Sequence, residues 1–126
     1  MHRLWFAVIG GLAAWPLTCQ AVTQDNFLAR TTADLVALCS VGDTDPLRVQ
    51  AVYFCEGYVA GANHFYQSEQ GSPGTPQLYC LPNPPPSRTD AIELFVAWAR
   101  NNAAYMNERP VDTLMRFAGA TWPCKR

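Results

Sequence analysis

From residue 22 onward, apolar side chains recur every three or four positions in four separate stretches, and none alternates with polar residues as a half-buried strand does. In "TTADLVALC", residues 31–39, Leu35, Leu38 and Cys39 share a helical face. Thr31 is placed to cap the first turn with Asp34 three positions on, and Gly42 is placed to end the helix. The second stretch predicts a helix over 47–67, with a stripe of Val52, Cys55, Val59, Ala62 and Tyr66 spaced three, four, three, four. The third begins at "SRTDAIE", where Asp90 and Glu93 suit the positive end of a helix dipole. Its core stripe is Ile92, Phe95, Val96, Ala99 and Ala103, with Leu94, Trp98 and Tyr105 on the other side. The fourth opens with Pro110, which a first helical position accommodates because no intrahelical N–H is needed there. Val111, Leu114, Met115 and Ala118 make its stripe, and Gly119 weakens its end. The expectation is an all-α domain of four helices.

Two features interrupt this pattern. Residues 68–87, "SEQGSPGTPQLYCLPNPPPS", hold two glycines and six prolines, which excludes a regular element there. A connection of that length inside a compact domain is characteristically functional or disordered, and Cys80 argues for a tethered one. Within the second helix, Gly57 and Gly61 lie four residues apart, and together they cost roughly 2 kcal/mol relative to alanine. The expected compensation is helix close-packing: a neighbouring helix, or the cross-link from Cys55, approaching closely at Gly57 and Gly61.

The first 21 residues, "MHRLWFAVIGGLAAWPLTCQA", place Arg3 before an apolar run from Leu4 to Leu17 and follow it with small and polar residues. That is the layout of a secretory signal peptide. About 14 apolar residues broken by Pro16 fall short of the ~20 a spanning helix needs, so cleavage near Ala21 is expected rather than anchoring. Cys19 stands where a lipidated cysteine would begin, but the preceding "WPLT" is a poor match to a lipoprotein box.

Removal of residues 1–21 leaves Cys39, Cys55, Cys80 and Cys124, with His64 as the single histidine. An even cysteine count in a small exported domain reads as two disulfides in an oxidising compartment. Three pairings are open. An up-down helix order favours Cys39 with Cys55 and Cys80 with Cys124, since each pair then shares one end of the bundle. Cys55 nevertheless lies roughly 12 Å along its helix, and bridged Cα atoms lie within about 7 Å. The first helix must therefore cross the second obliquely.

Charge narrows the partners. Without Arg3, eight basic residues face ten acidic ones, and Lys125 is the only lysine, so no basic patch exists to hold nucleic acid. Cys55 and His64 are nine residues apart on one helix, hence on opposite sides of it, and cannot form a nucleophile–base dyad there. One histidine with oxidised cysteines lacks the ligands for zinc. Asp43 and Asp45 flank a turn, Glu93 sits at a helix start, and no phosphate loop, nucleophile elbow or dinucleotide fingerprint is present. The expectation is a binding protein with a protein partner, without catalysis, cofactor, metal or small-molecule substrate. Two surfaces are candidates for the partner interface. One is Leu94 with Trp98, extended by Tyr105, an aromatic anchor unless both faces of the third helix are buried. The other is Pro84, Pro85 and Pro86, because proline lowers the entropy lost when a protruding segment docks.

The order "LVALC", "FCEGYVAG", "LYCLP", a helix, a proline-started helix and a terminal "TWPC" resembles the Rap/Tai family of periplasmic immunity proteins. The similarity runs from about Asp34 to Cys124 and rests on the four cysteines and on Cys55, Gly57, Tyr58 and Gly61. It implies an all-helical fold, homodimers, and protection against peptidoglycan amidases injected by type VI secretion, by covering the effector's active-site cleft. The alternative is an acid-stress chaperone of the periplasm, which would carry abundant charge, especially lysine.

Overall fold

In the computed structural model, residues 20–125 are described, and four α-helices account for their regular structure: α1 (Thr32–Cys39), α2 (Arg48–Glu69), α3 (Arg88–Asn101) and α4 (Pro110–Thr121). Two short 3-10 turns, Gln24–Leu28 and Ala103–Tyr105, are too brief for periodicity to reveal. No strand occurs among the described residues, so the fold is all-α as expected. The expected signal peptide, residues 1–21, lies outside the described residues except for Gln20 and Ala21, and Cys19 lies outside them. Among the described residues, no helix is long and apolar enough to cross a membrane.

At eight residues, α1 is too short to persist alone, and its start is satisfied by tertiary partners. Thr31 Oγ1 accepts from the Asp34 amide at 3.3 Å, and the Asp34 carboxylate accepts from the Thr31 amide at 3.0 Å. Asn26 Nδ2 donates to the same carboxylate at 3.0 Å, tying the first 3-10 turn to α1. The next two amides, Thr32 and Ala33, donate to the carbonyls of Glu108 and Met106 at 2.8 and 3.0 Å. The chain entering α4 thus does for α1 what a longer cap would do.

Asp45 sets the turn into α2. Its carboxylate accepts from the Leu47 amide at 2.8 Å and from the Val22 amide at 2.9 Å. The end of α1 thereby lies beside the second turn of α2, and Cys39 bonds Cys55 with their Cα atoms 5.1 Å apart. Asp43 pairs with Arg48 at 3.1 Å on the surface. The two aspartates are therefore a turn-former and a surface ion-pair partner.

The main core joins all four helices: Leu35 and Val36 from α1, Cys55 from α2, Ile92, Phe95, Val96 and Ala99 from α3, and Leu114 and Phe117 from α4. Burying each large side chain stabilises the fold by about 1.5–3 kcal/mol relative to exposure. Two stripe assignments are corrected. Ala103 leaves the α3 stripe because the helix ends at Asn101, and Asn102 Nδ2 turns back to the Trp98 carbonyl at 2.8 Å. Val111 is 37% exposed, and Thr113 and Phe117 join Leu114 and Ala118 on the buried face of α4. The face is rotated because Thr113 meets Thr32 in the interior.

Gly57 and Gly61 also require correction. A Cβ at either position would meet no heavy atom within 4 Å. The core and the disulfide lie against the side of α2 that carries Ala51, Cys55 and Tyr66, so no close approach occurs at these glycines within the chain. The crowded glycine is Gly119, where a Cβ would sit 3.1 Å from the Leu78 carbonyl oxygen.

Candidate functional site

The proline-rich connection is irregular but firmly held. The ring of Tyr66, near the end of α2, stacks on Tyr79 with centroids 4.2 Å apart. Tyr66 Oη accepts from the amides of Leu78 and Tyr79 at 2.9 and 3.2 Å and donates to the Tyr79 carbonyl at 3.1 Å. Tyr79 Oη donates to Asn63 Oδ1 at 2.8 Å. Burial pushes the Tyr79 phenol up to about 12, with the neighbouring Tyr66 adding to the effect. One step further on, the Cys80 amide donates to the Trp122 carbonyl at 2.8 Å, and Cys80 bonds Cys124 with Cα atoms 4.9 Å apart. The loop is stitched to α2 by a tyrosine pair and to the end of α4 by a disulfide.

This stitching leaves a cavity of about 300 Å³ between α2, the loop, the start of α3 and α4. Leu114, Met115, Phe117 and Trp122 form its apolar floor, and Pro85 and Pro86 stand at one side. Asn63, His64 and Gln67 line it from α2, and Arg88 from the first residue of α3. Among the described residues, Arg88 is the one Lys, Arg, Asp or Glu side chain on its wall. Glu56 holds that guanidinium from outside the cavity at 3.6 Å, an exposed pair worth little stability that still orients the arginine. A second hollow of about 350 Å³ adjoins the first, sharing Asn63, Gln67, Tyr79 and Leu81 and adding Gln70 and Gln77. The two together form a groove that is apolar at one end and rich in carboxamides at the other.

The residues expected at a partner interface are distributed unevenly. Leu94 is exposed on α3, but Trp98 packs on the main core, stacks on Tyr105 at 5.7 Å and lies 6.1 Å from Phe117. Tyr105 in turn carries the Arg116 guanidinium 5.1 Å above its ring. Trp98 and Tyr105 are thus half-buried, and Leu94 beside them is exposed. Pro84 and Pro85 are exposed, and Pro86 is half-buried at the cavity. Asn63, Gln67 and Arg88 escape sequence reasoning, because isolated polar residues on a helix read as solvated surface.

Another surface appears on α2. Val49, Tyr53 and Phe65 are exposed, and with Gly57 and Gly61 they repeat every four residues along one ridge. Between Arg48 and Glu69 the helix carries a single Asp, Glu, Lys or Arg, Glu56. Among the described residues, no three His, Cys, Asp or Glu side chains gather as a metal site.

Four helices and two disulfides, with a cavity lined by apolar, amide and cationic side chains, define a small stapled helical domain. The family model of the Rap1a immunity proteins matches residues 31–124, and the chain belongs to that family. The matched span contains α1 to α4 and both disulfides. No curated protein and no solved structure matches the chain. Family membership supplies the general role: an immunity protein, whose partner is a toxin.

Proposed function

We propose that the protein is exported to the periplasm, where it neutralises a peptidoglycan amidase delivered by type VI secretion, covering the enzyme's active-site cleft without catalysis of its own. The carrying observation is the family match over residues 31–124, a span that includes both disulfides. Paired cysteines support an oxidising compartment. Leu94, Pro84 and Pro85 supply exposed apolar contact area, and the tethered loop loses little entropy on docking.

Self-association belongs to the same reading, and the α2 ridge supports it. An antiparallel pairing about Val59 sets Tyr53 opposite Phe65 and Gly57 opposite Gly61, the self-complementarity a two-fold interface requires. The open space at both glycines would admit the second helix closely.

Export of the protein into the periplasm of a cell producing an exported amidase is expected to prevent lysis, and the two purified proteins are expected to co-elute. Lysis unaffected by the protein, with no co-elution for amidases encoded beside it, would remove the amidase from the proposal. Sedimentation at micromolar concentration tests the dimer separately; a monomer there would discard it.

A further inference from the structure

We propose that the groove beside the proline loop takes an extended peptide segment of the toxin, seating one large apolar side chain in the 300 Å³ cavity and a neighbouring carboxylate on Arg88. This rests on the immunity reading and reverses part of its geometry: the partner inserts into this chain.

The occupant follows from the lining. An apolar floor of Leu114, Met115, Phe117 and Trp122 rewards a large apolar group, and a cavity near the lower end of the ~300–1,000 Å³ range suits one anchor rather than a bulky cofactor. Arg88 is the only Lys, Arg, Asp or Glu among the described residues on the cavity wall, so the adjoining charge on the occupant is negative. Glu56 engages Arg88 at 3.6 Å, and a guanidinium with five N–H donors retains others for a second carboxylate. The adjoining hollow chooses between a peptide and a free organic acid. Asn63, Gln67, Gln70 and Gln77 line it, and side-chain carboxamides match the alternating donors and acceptors of a main chain, which a free acid lacks. Asn63 is already oriented, because its Oδ1 accepts from Tyr79 while its Nδ2 keeps two donors. The groove is held open by the Tyr66–Tyr79 stack and the Cys80–Cys124 bond, so little ordering accompanies binding.

Two short capped peptides, acetyl-Gln-Phe-Asp-Gly-amide and acetyl-Gln-Phe-Asn-Gly-amide, provide the probe, followed by amide NMR shifts of the disulfide-bonded protein. Saturating shifts are expected at Asn63, Gln67, Ala91 and Met115, with the Asp peptide bound up to about 5-fold more tightly than the Asn peptide, the range of one exposed ion pair. Arg88→Gln is expected to erase that preference, and Ala91→Phe, which fills the cavity, to abolish both interactions while the spectrum stays dispersed. Should Ala91→Phe not fold, Gln67→Ala serves, with weakened binding of both peptides expected. Absent or scattered shifts, unchanged binding to the filled variant, or saturation of the cavity by decanoate where neither peptide binds would overturn the proposal. Amidase protection is measured independently, so wild-type protection by Ala91→Phe would remove the groove and leave the immunity reading standing.

Discussion

Thr32 and Thr113, 81 residues apart in sequence, share a buried hydrogen bond of 2.7 Å at the junction of α1 and α4. Both side chains are fully buried, and the Glu108 carbonyl lies 3.1 Å from Thr32 Oγ1, with that of Tyr105 3.5 Å from Thr113 Oγ1. Thr32→Val leaves the Thr113 hydroxyl short of a partner in the interior. A loss of about 1–3 kcal/mol is expected in urea unfolding. The double variant with Thr113→Val is expected to lose less than the two single losses combined, because no orphaned hydroxyl then remains.

The glycines divide by what a methyl group would meet. Gly57→Ala and Gly61→Ala place it in open space inside a helix and are each expected to raise stability by about 0.5–1 kcal/mol. Gly119→Ala places it 3.1 Å from a backbone carbonyl of the stitched loop, and is expected to forfeit that gain or reverse it. Thermal melts of the three variants check the order. A stable Gly57→Ala protein that no longer sediments as a dimer would locate self-association on the α2 ridge.

The two disulfides differ in span. Cys80–Cys124 encloses a sequence separation of 44 and Cys39–Cys55 one of 16. Replacing Cys80 and Cys124 together by serine is expected to cost about 2–5 kcal/mol. Because the same bond holds the loop against α4, this variant is also expected to lose the peptide-induced shifts at Asn63 and Gln67. Non-reducing peptide mapping is expected to recover Cys39 joined to Cys55 and Cys80 joined to Cys124.

Two groups shape stability against pH at opposite ends of the scale. Partial burial raises the Asp34 carboxyl, but hydrogen bonds from Asn26 and Thr31 outweigh it and hold the group below its ordinary 3.8. Its contribution is complete above that value and is lost as pH falls through the lower folded value. Tyr79, raised from 10.0 to about 12, contributes fully below pH 10 and loses that contribution as pH rises toward 12. Denaturation across both ranges is expected to show a flatter acid limb for Asp34→Asn and a flatter alkaline limb for Tyr79→Phe, each relative to wild type.

The sequence by itself determined the helices and the covalent frame. Three-and-four spacing located α1 to α4 to within a few residues, Pro110 marked the start of α4, and the helix order selected the disulfide pairing that the fold contains. These features are local or rest on chain order, and both are written in one dimension. The tertiary structure alone decided what meets the positions that the core stripes leave over. Gly57 and Gly61 cost helix stability wherever they stand, but only the position of the other helices shows their space to be open and that beside Gly119 crowded. Trp98 could read as a surface anchor or as a core residue, and only the fold shows it half-buried, with Tyr105 and Phe117 against it. The groove was likewise invisible beforehand, since Asn63, Gln67 and Arg88 acquire a common purpose only when the Tyr66–Tyr79 stack and the Cys80–Cys124 bond bring the loop beside them. A cavity is the space that several elements fail to fill, and no single stretch of sequence carries its shape.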